Sequence, residues 1–395
     1  MKILLVHNHY QKPGGEDQVF AAEGALLESY GHTVVRYEAH NDQVGEFTSF
    51  QLAKATIWNS HACRELKNLI KIERPEIMHV HNTFPLISPV AYYAAKSENI
   101  PVVQTLHNYR LLCLNPNLFR NGKVCEDCLG KFMPWPGILH SCYRGNRKAS
   151  GVVAMMLISH RILRTWLRDV DMFIALSVFS RKKFIEEGLP NNKITVKPNF
   201  VGNDPGIGSG EGNYAIFVGR LSSEKGIETL LEAWKSLNGR VRLKIAGDGP
   251  LASKVVDATQ KMSSIDYVGH LSRDEIFLHL KNASVMIFPS LCYEGFPLTI
   301  AEAYATGLPV IGSQTGSISE LIQHGKTGLC FEPGNSRDLV RQVDWIVDHP
   351  RELASMRLNA RREFEEKYTD SHNYDLLLKI YRQVLGKQIY SGSAT

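Results

Sequence analysis

Cys292–Thr306, CYEGFPLTIAEAYAT, sets two carboxylates, Glu294 and Glu302, on either side of a Gly-Phe-Pro turn. Pro297 suits a first helical position, where its missing N–H is no loss, so a helix is predicted to start near Leu298. Glu294 then lies in the loop, and Glu302 faces the same pocket from one turn into the helix. The backbone amides around Gly295, Phe296, Leu298 and Thr299 have no partner within the helix, and with the helix dipole they suit phosphate or sugar oxygens. Upstream, Phe288–Ser290 closes the apolar run Val285–Phe288. The order is strand, loop, helix N-terminus, which is where ligands of open α/β sheets sit, at the carboxyl ends of the strands.

Working outward, 395 residues exceed what one hydrophobic core usually holds, and 44% apolar with 22% charged residues is ordinary for a globular chain, so two domains are expected. No apolar run reaches membrane-spanning length and no secretory leader opens the chain, which predicts a cytoplasmic protein. Seven cysteines, an odd number, argue against a secreted disulfide scaffold. The net charge of +5 is uneven: residues 1–200 carry 24 Lys and Arg against 17 Asp and Glu, leaving 21 against 23 for the rest. A basic first half suits acidic lipid or a phosphorylated ligand; no nucleic-acid motif accompanies it, so no nucleic-acid partner is expected.

The chain opens with a branched apolar strand, Lys2–His7, a Pro-Gly-Gly turn at Pro13–Gly15, an amphipathic helix Asp17–Tyr30 capped by Gly31, and a strand Thr33–Tyr37. The Gly14–Gly15 pair would let backbone amides approach a ligand; the alternative is a plain turn. Glu76–His81 and Pro101–His107 read as further parallel strands, each ending in histidine. His7, His9, His81 and His107 would then project from strand ends, where imidazoles can hold sugar hydroxyls or stabilise developing charge. Residues 108–148 form an irregular insertion with Cys113, Cys125, Cys128 and Cys142. Its C-x-x-C with flanking cysteines has the ligand count of a structural zinc, and the alternative is four reduced thiols. Ala149–Arg168 is helical by period with Arg161, Arg164 and Arg168 on another face, so it either contacts an anionic membrane peripherally or packs on the sheet. Asp169-Val170-Asp171 spells D-x-D but precedes the strand Met172–Leu176 at its amino end, the wrong edge for a ligand.

Asn199–Asn213, rich in Gly, Pro and Asn, reads as an interdomain linker. The second half repeats the α/β plan with strands at Tyr214–Val218, Arg242–Ala246, Ile265–Val268, Val285–Phe288 and Pro309–Gly312. At Gly219–Gly226, GRLSSEKG, a strand ends, a glycine admits close approach, and Arg220 and Lys225 flank a helix start. That arrangement suits a pyrophosphate.

Together VGRLSSEKG, IAGDGP, Val268-Gly269-His270 and EGFPLTIAEAYATGLPVI resemble the retaining glycosyltransferases of family 4, whose E-x7-E signature matches Glu294 and Glu302. The resemblance runs over nearly the whole chain, and the cysteine insertion stands outside it. It implies the α/β GT-B fold, two Rossmann-like domains facing each other across a cleft. The expected division is an acceptor domain at 1–199, a linker at 200–213 and a donor domain at 214–370, with a C-terminal helix at about 371–390 packing back on the first domain. It implies that Arg220 and Lys225, beside Gly219, hold the donor diphosphate, that Glu302 holds the ribose, and that backbone near His270 and Leu271 meets the base. Glu294 would contact the transferred sugar, with Gly295, Phe296, Pro297, Leu298 and Thr299 around sugar and phosphate, while His107 and the Gly14–Gly15 loop approach from the acceptor side. No metal is expected in catalysis. The implied donor is a nucleotide sugar, UDP-glucose first and GDP-mannose second, and the acceptor a saccharide or lipid-linked glycan of cell-surface polysaccharide synthesis. A nucleotide-sugar epimerase and a catalytically silent binding subunit are the competing classes.

Overall fold

The computed structural model describes residues 1–12 and 14–392; Pro13, the first residue of the expected Pro-Gly-Gly turn, lies outside them. Contacts divide the chain into two compact units. The first comprises Met1–Leu118, Glu126–Asn199 and the segment from Asn373 onward; the second comprises Phe119–Cys125 and Phe200–His372.

The first unit is built on β1 (Lys2–His9), β2 (Thr33–His40), β3 (Ile77–Val80) and β4 (Val102–Leu106), then, past a small antiparallel hairpin of the second unit, β5 (Phe119–Arg120) and β6 (Lys123–Val124), on β7 (Met172–Ala175) and β8 (Ile194–Val196). Its six-stranded sheet has the order β2-β1-β3-β4-β7-β8, and every pairing is parallel. β1 runs two residues past its expected end, and the register sets His7 beside Glu38 and His9 beside His40 on β2. Helix α1 (Gly15–Ser29) follows. Asp17 at its third position accepts the Gly14 N–H at 2.7 Å, Glu16 and Asp17 complement the helix dipole, and Gly31 takes the left-handed conformation just beyond the end.

The core of this unit joins Ile3 and Leu5 of β1, Phe20 and Leu27 of α1, Ile77, Val103 and Ile174 to Leu377, Ile380, Tyr381 and Val384 of the helix Asp370–Gly392. The helical spacing of those last four side chains puts them on one stripe, and burying each is worth about 1.5–3 kcal/mol. The stretch Ala149–Arg168 is two helices rather than one. Arg147–Ile162 and Thr165–Asp169 are separated at Arg164, whose φ of 55° is left-handed and ends the helical path. Asp171 accepts the Val102 N–H at 2.8 Å at the amino end of β7, a structural role that accounts for one D-x-D carboxylate.

The second unit repeats the plan with β9 (Tyr214–Val218), β10 (Arg242–Ala246), β11 (Ile265–Gly269), β12 (Val285–Phe288), β13 (Val310–Ser313) and β14 (Gly328–Phe331). The sheet order is β11-β10-β9-β12-β13-β14, again all parallel. Trp234, fully buried with Leu230 on the helix Ile227–Leu237, packs with Ile245, Ile287 and Ile311 and donates its indole N–H to the Val241 carbonyl at 2.9 Å. β14 was not expected from the sequence, since its Gly328 and Cys330 interrupt any run of branched apolar residues. It opens at Gly328, where a Cβ would stand 1.9 Å from the Val310 carbonyl oxygen. Residues 206–212, within the expected linker, are laced to this unit: the amides of Gly208, Gly210 and Gly212 donate to Thr306, Lys281 and Asn282 carbonyls at 2.8–3.0 Å. A Cβ at Gly208 would lie 2.1 Å from the Lys281 oxygen, so close backbone contact explains this glycine. Among the described residues no helix is long and apolar enough to cross a membrane.

Candidate functional site

In the second unit the chain leaves β9 to build strands on one side and returns to lay β12 on the other, so the topological switch lies between β9 and β12. The loops after these two strands, Gly219–Gly226 and Pro289–Pro297, carry the basic and acidic residues singled out above. Their backbones interlock. The Leu291 N–H donates to the Glu224 carbonyl at 2.8 Å, and Gly226 is left-handed at φ 72° with Pro289 oxygen 1.9 Å from where a Cβ would be. The loop after β10 joins them: Leu221 N–H donates to Asp248 O at 2.9 Å and accepts, at its carbonyl, the Leu251 N–H at 2.8 Å.

This framework brings Lys225 to Glu294. Lys225 Nζ donates to Glu294 Oε1 at 2.6 Å, Ser290 Oγ donates to the same oxygen at 2.6 Å, and Ser317 Oγ holds the Glu294 carbonyl at 2.7 Å. Burial works against the charge of each partner, yet the opposed charges win: the Lys225 ammonium titrates above the usual lysine range and the Glu294 carboxyl below the usual carboxylate range. Both are therefore ionised near neutrality. Arg220 is exposed at the end of β9, and Gly219 precedes it with φ 157°.

Pro297 is the cap of the helix Leu298–Ala305 rather than its first residue, and Leu298 opens the helix as expected. Phe296 is buried edge-to-face on Tyr368, ring centroids 5.5 Å apart, while Thr299 lies in the first turn with its side chain half-buried. Glu302 is buried one turn in, 3.8 Å from Arg273 Nε; burial raises its carboxyl and Arg273 counters this. Arg273 was not anticipated. It begins the helix Arg273–Asn282, directly after exposed His270, half-buried Leu271 and the capping Ser272. Ser290 was likewise missed, since nothing in the sequence tells which serine will face a carboxylate.

Two family models match consecutive parts of the chain: Glycosyltransferase Family 4 over residues 9–204 and Glycosyl transferases group 1 over residues 205–363. The chain belongs to the group 1/family 4 glycosyltransferases. An uncharacterised glycosyltransferase of Methanocaldococcus jannaschii is 27% identical over 216 residues, 54% of this chain and 60% of the relative. Glycogen synthase of Mycobacterium tuberculosis is 26% identical over 306 residues, 73% of this chain and 64% of that enzyme. The matches thus span less than two thirds of these relatives' length. HepE of Anabaena in complex with UDP superposes with a TM-score of 0.69 at 15% identity, covering 97% of this chain and 100% of HepE; its UDP-glucose complex gives 0.66 at 17% identity, covering 99% and 100%. The shared fold is GT-B.

In this glycosyltransferase the first unit gathers imidazoles where its own sheet switches direction, between β1 and β3. His81 Nδ1 and His107 Nε2 are 3.0 Å apart, and a pocket lined by His81, Asn82, His107, Asn108, Arg110 and Trp166 opens there. Burial pushes His107 down to about 3 and holds His81 well below the usual histidine range, so both rings are neutral at pH 7. Of the two roles considered for these imidazoles, holding hydroxyls fits neutral rings. Beneath them Glu23 and Lys197, both fully buried, pair at 2.9 Å, and His79, 3.1 Å from Glu23, is held by Thr105 and Tyr381 at 2.8 Å each. Gly14 caps α1 and Gly15 is its first residue. Glu16, unremarked in the sequence, accepts from Asn108 Nδ2 at 2.5 Å and Tyr10 OH at 3.0 Å; burial lifts its carboxyl to about 7.

No disulfide joins any of the seven cysteines. Cys113, Cys128 and Cys142 belong to the first unit, whereas Cys125 belongs to the segment grouped with the second. Burial, with Cys128 nearby, pushes the Cys113 thiol up to about 12. Among the described residues, the groups of three potential ligands close enough to share an ion contain no cysteine, so zinc at these four positions rests on their spacing.

Proposed function

We propose that this protein is a retaining, metal-independent hexosyltransferase that takes a sugar from UDP-glucose and passes it to a saccharide or lipid-linked acceptor. The observation that carries the reading is the ionised Lys225–Glu294 pair, locked at the switch point beside exposed Arg220 and a helix N-terminus. Arg220, Lys225 and the amides of Phe296, Leu298 and Thr299 bind the diphosphate, Glu302 takes the ribose hydroxyls, and backbone at His270 and Leu271 meets the uracil. Glu294 contacts the hexose. The presence of UDP and UDP-glucose in the HepE complexes supports the choice of donor.

Charge dictates the chemistry. As the bond from sugar C1 to the β-phosphate oxygen breaks, electrons pass to the diphosphate and the sugar becomes oxocarbenium-like. The fixed cations and amides stabilise the leaving group, each such donor being worth about 3–4 kcal/mol, or about 10²–10³ in rate. The acceptor oxygen bonds to C1 on the face that the phosphate leaves, and the departing phosphate takes the acceptor proton, so the anomeric configuration is kept. The pocket holding His107 in the first unit binds acceptor or sugar hydroxyls. Peripheral contact with an anionic membrane, through the basic half, would bring a lipid-linked acceptor to it.

A panel of UDP- and GDP-hexoses, followed for hydrolysis, epimerisation and transfer, tests this reading. It expects UDP release from UDP-glucose and, with acceptor, a product of retained configuration. Epimer formed without acceptor, turnover of GDP-mannose alone, or inversion would each overturn the corresponding part.

A further inference from the structure

We propose that His7, His9 and Asp17 form a binding site for a divalent first-row transition cation that favours imidazole, such as Zn²⁺ or Co²⁺. The site lies within the first unit and does not depend on the transferase reading.

His7 and His9 alternate along β1 and so share a face, and Asp17 reaches them from the first turn of α1. Asp17 Oδ1 stands 2.9 Å from His7 Nε2 and 3.3 Å from His9 Nδ1, and one ligand atom from each of the three side chains lies within 4.8 Å of the others. Ligands about 2.1 Å from a common ion are about 3.0–3.4 Å apart for right-angled to tetrahedral coordination, so both carboxylate–imidazole spacings suit one. Each candidate ligand is also oriented from behind. His9 Nε2 is 2.6 Å from Glu38 Oε2, the carboxylate–imidazole arrangement that fixes the proton on one nitrogen and leaves the other for metal. Asp17 Oδ2 accepts the Gly14 N–H at 2.7 Å, which turns Oδ1 toward the imidazoles, and His7 is stacked on Phe20 at 4.6 Å.

Proton counting gives the independent reason. His9 faces carboxylates with both ring nitrogens, Asp17 at Nδ1 and Glu38 at Nε2; an uncharged ring has one N–H for the two, so either a second proton or a cation at Nδ1 must meet Asp17. A cation among His7 Nε2, His9 Nδ1 and Asp17 Oδ1 meets that need while Nε2–H stays on Glu38, and the partly exposed His9 ring leaves a path for water to fill the remaining positions. His40, stacked on His9 at 4.4 Å, completes a second, more exposed set with Glu38. Three-sided support of the ligand atoms favours the inner set.

Titration of the full chain with Co²⁺ distinguishes the possibilities. Wild type is expected to bind one equivalent with visible d–d bands lacking thiolate charge transfer, and to melt at higher temperature with the ion. His9→Ala loses that equivalent and the thermal shift, whereas His40→Ala keeps both. Unchanged binding by His9→Ala, or bound Co²⁺ showing only thiolate ligation, would overturn the site. Loss in His40→Ala equal to that in His9→Ala would assign the ion to the outer set and refute the inner one.

Discussion

Replacing Lys197 with Met isolates the most deeply buried charge pair of the first unit. Lys197 and Glu23 are both fully buried; Lys197 Nζ lies 2.9 Å from Glu23 Oε2 and 3.3 Å from Asn373 Oδ1. Met fills nearly the same space, so cavity formation contributes little. What remains is a carboxylate stripped of its cation, and removing one member of such a pair costs about 3–5 kcal/mol. The size depends on pH with a definite sign. In the wild type burial opposes the Glu23 charge, but Lys197 and then His79 hold its carboxyl well below the usual range. That stability is present above the unfolded pKa and lost as pH falls through the folded one. In Lys197→Met burial, the largest influence, is opposed only by His79 and His81 and raises the carboxyl, so the variant's folded state takes up a proton more readily than its unfolded state. The gap between the proteins therefore narrows as pH falls. Urea unfolding at pH 8 should show the full loss, and unfolding at pH 5 a smaller one; adding Glu23→Gln should restore much of it at pH 8. A loss under about 1 kcal/mol at pH 8, or one that does not vary with pH, would refute the reasoning.

In the second unit, Lys225→Ala and Glu294→Ala should each lower turnover by at least about 10², and near-normal kcat in either variant would contradict the proposed donor site. Gly226→Ala forces a Cβ to within 1.9 Å of the Pro289 carbonyl at a left-handed φ, so thermal melting should show a loss of about 1–3 kcal/mol together with weakened donor binding. Arg273→Ala removes the charge that counters the raised Glu302 carboxyl; the donor KM should rise more at pH 6 than at pH 8, and an equal rise at both would place Glu302 outside ribose binding. If Cys113, Cys125, Cys128 and Cys142 share an ion, the zinc content per chain should fall by one in Cys125→Ser relative to wild type; an unchanged content removes that site, and chelation should leave transfer intact.

What could be read along the chain was whatever a short window encodes. The alternation of apolar runs with amphipathic stretches foretold both parallel sheets, and strands such as Tyr214–Val218 and Val285–Phe288 fall where their branched residues placed them. Arg220, Lys225 and Glu294 could be singled out because each sits in a loop directly after a strand. Side-chain partnerships were not legible. Lys225 meets Glu294 across 69 positions and Lys197 meets Glu23 across 174, distances that only the strand order closes. The glycines of residues 206–212 misled for a related reason. Composition alone cannot separate a glycine that permits motion from one that permits contact, and Gly208 is of the second kind.

The stripe of Leu377, Ile380, Tyr381 and Val384 has a consequence for biosynthesis. A ribosome releases β1, β3, β4 and β7 early, but the helix that covers Ile3, Leu5 and Ile77 emerges only after the entire second unit has been translated. The amino-terminal half therefore waits, apolar surface uncovered, while the later half closes first. A nascent chain stalled before residue 370 should be a preferred client for chaperones and prone to aggregate, whereas the finished chain is neither.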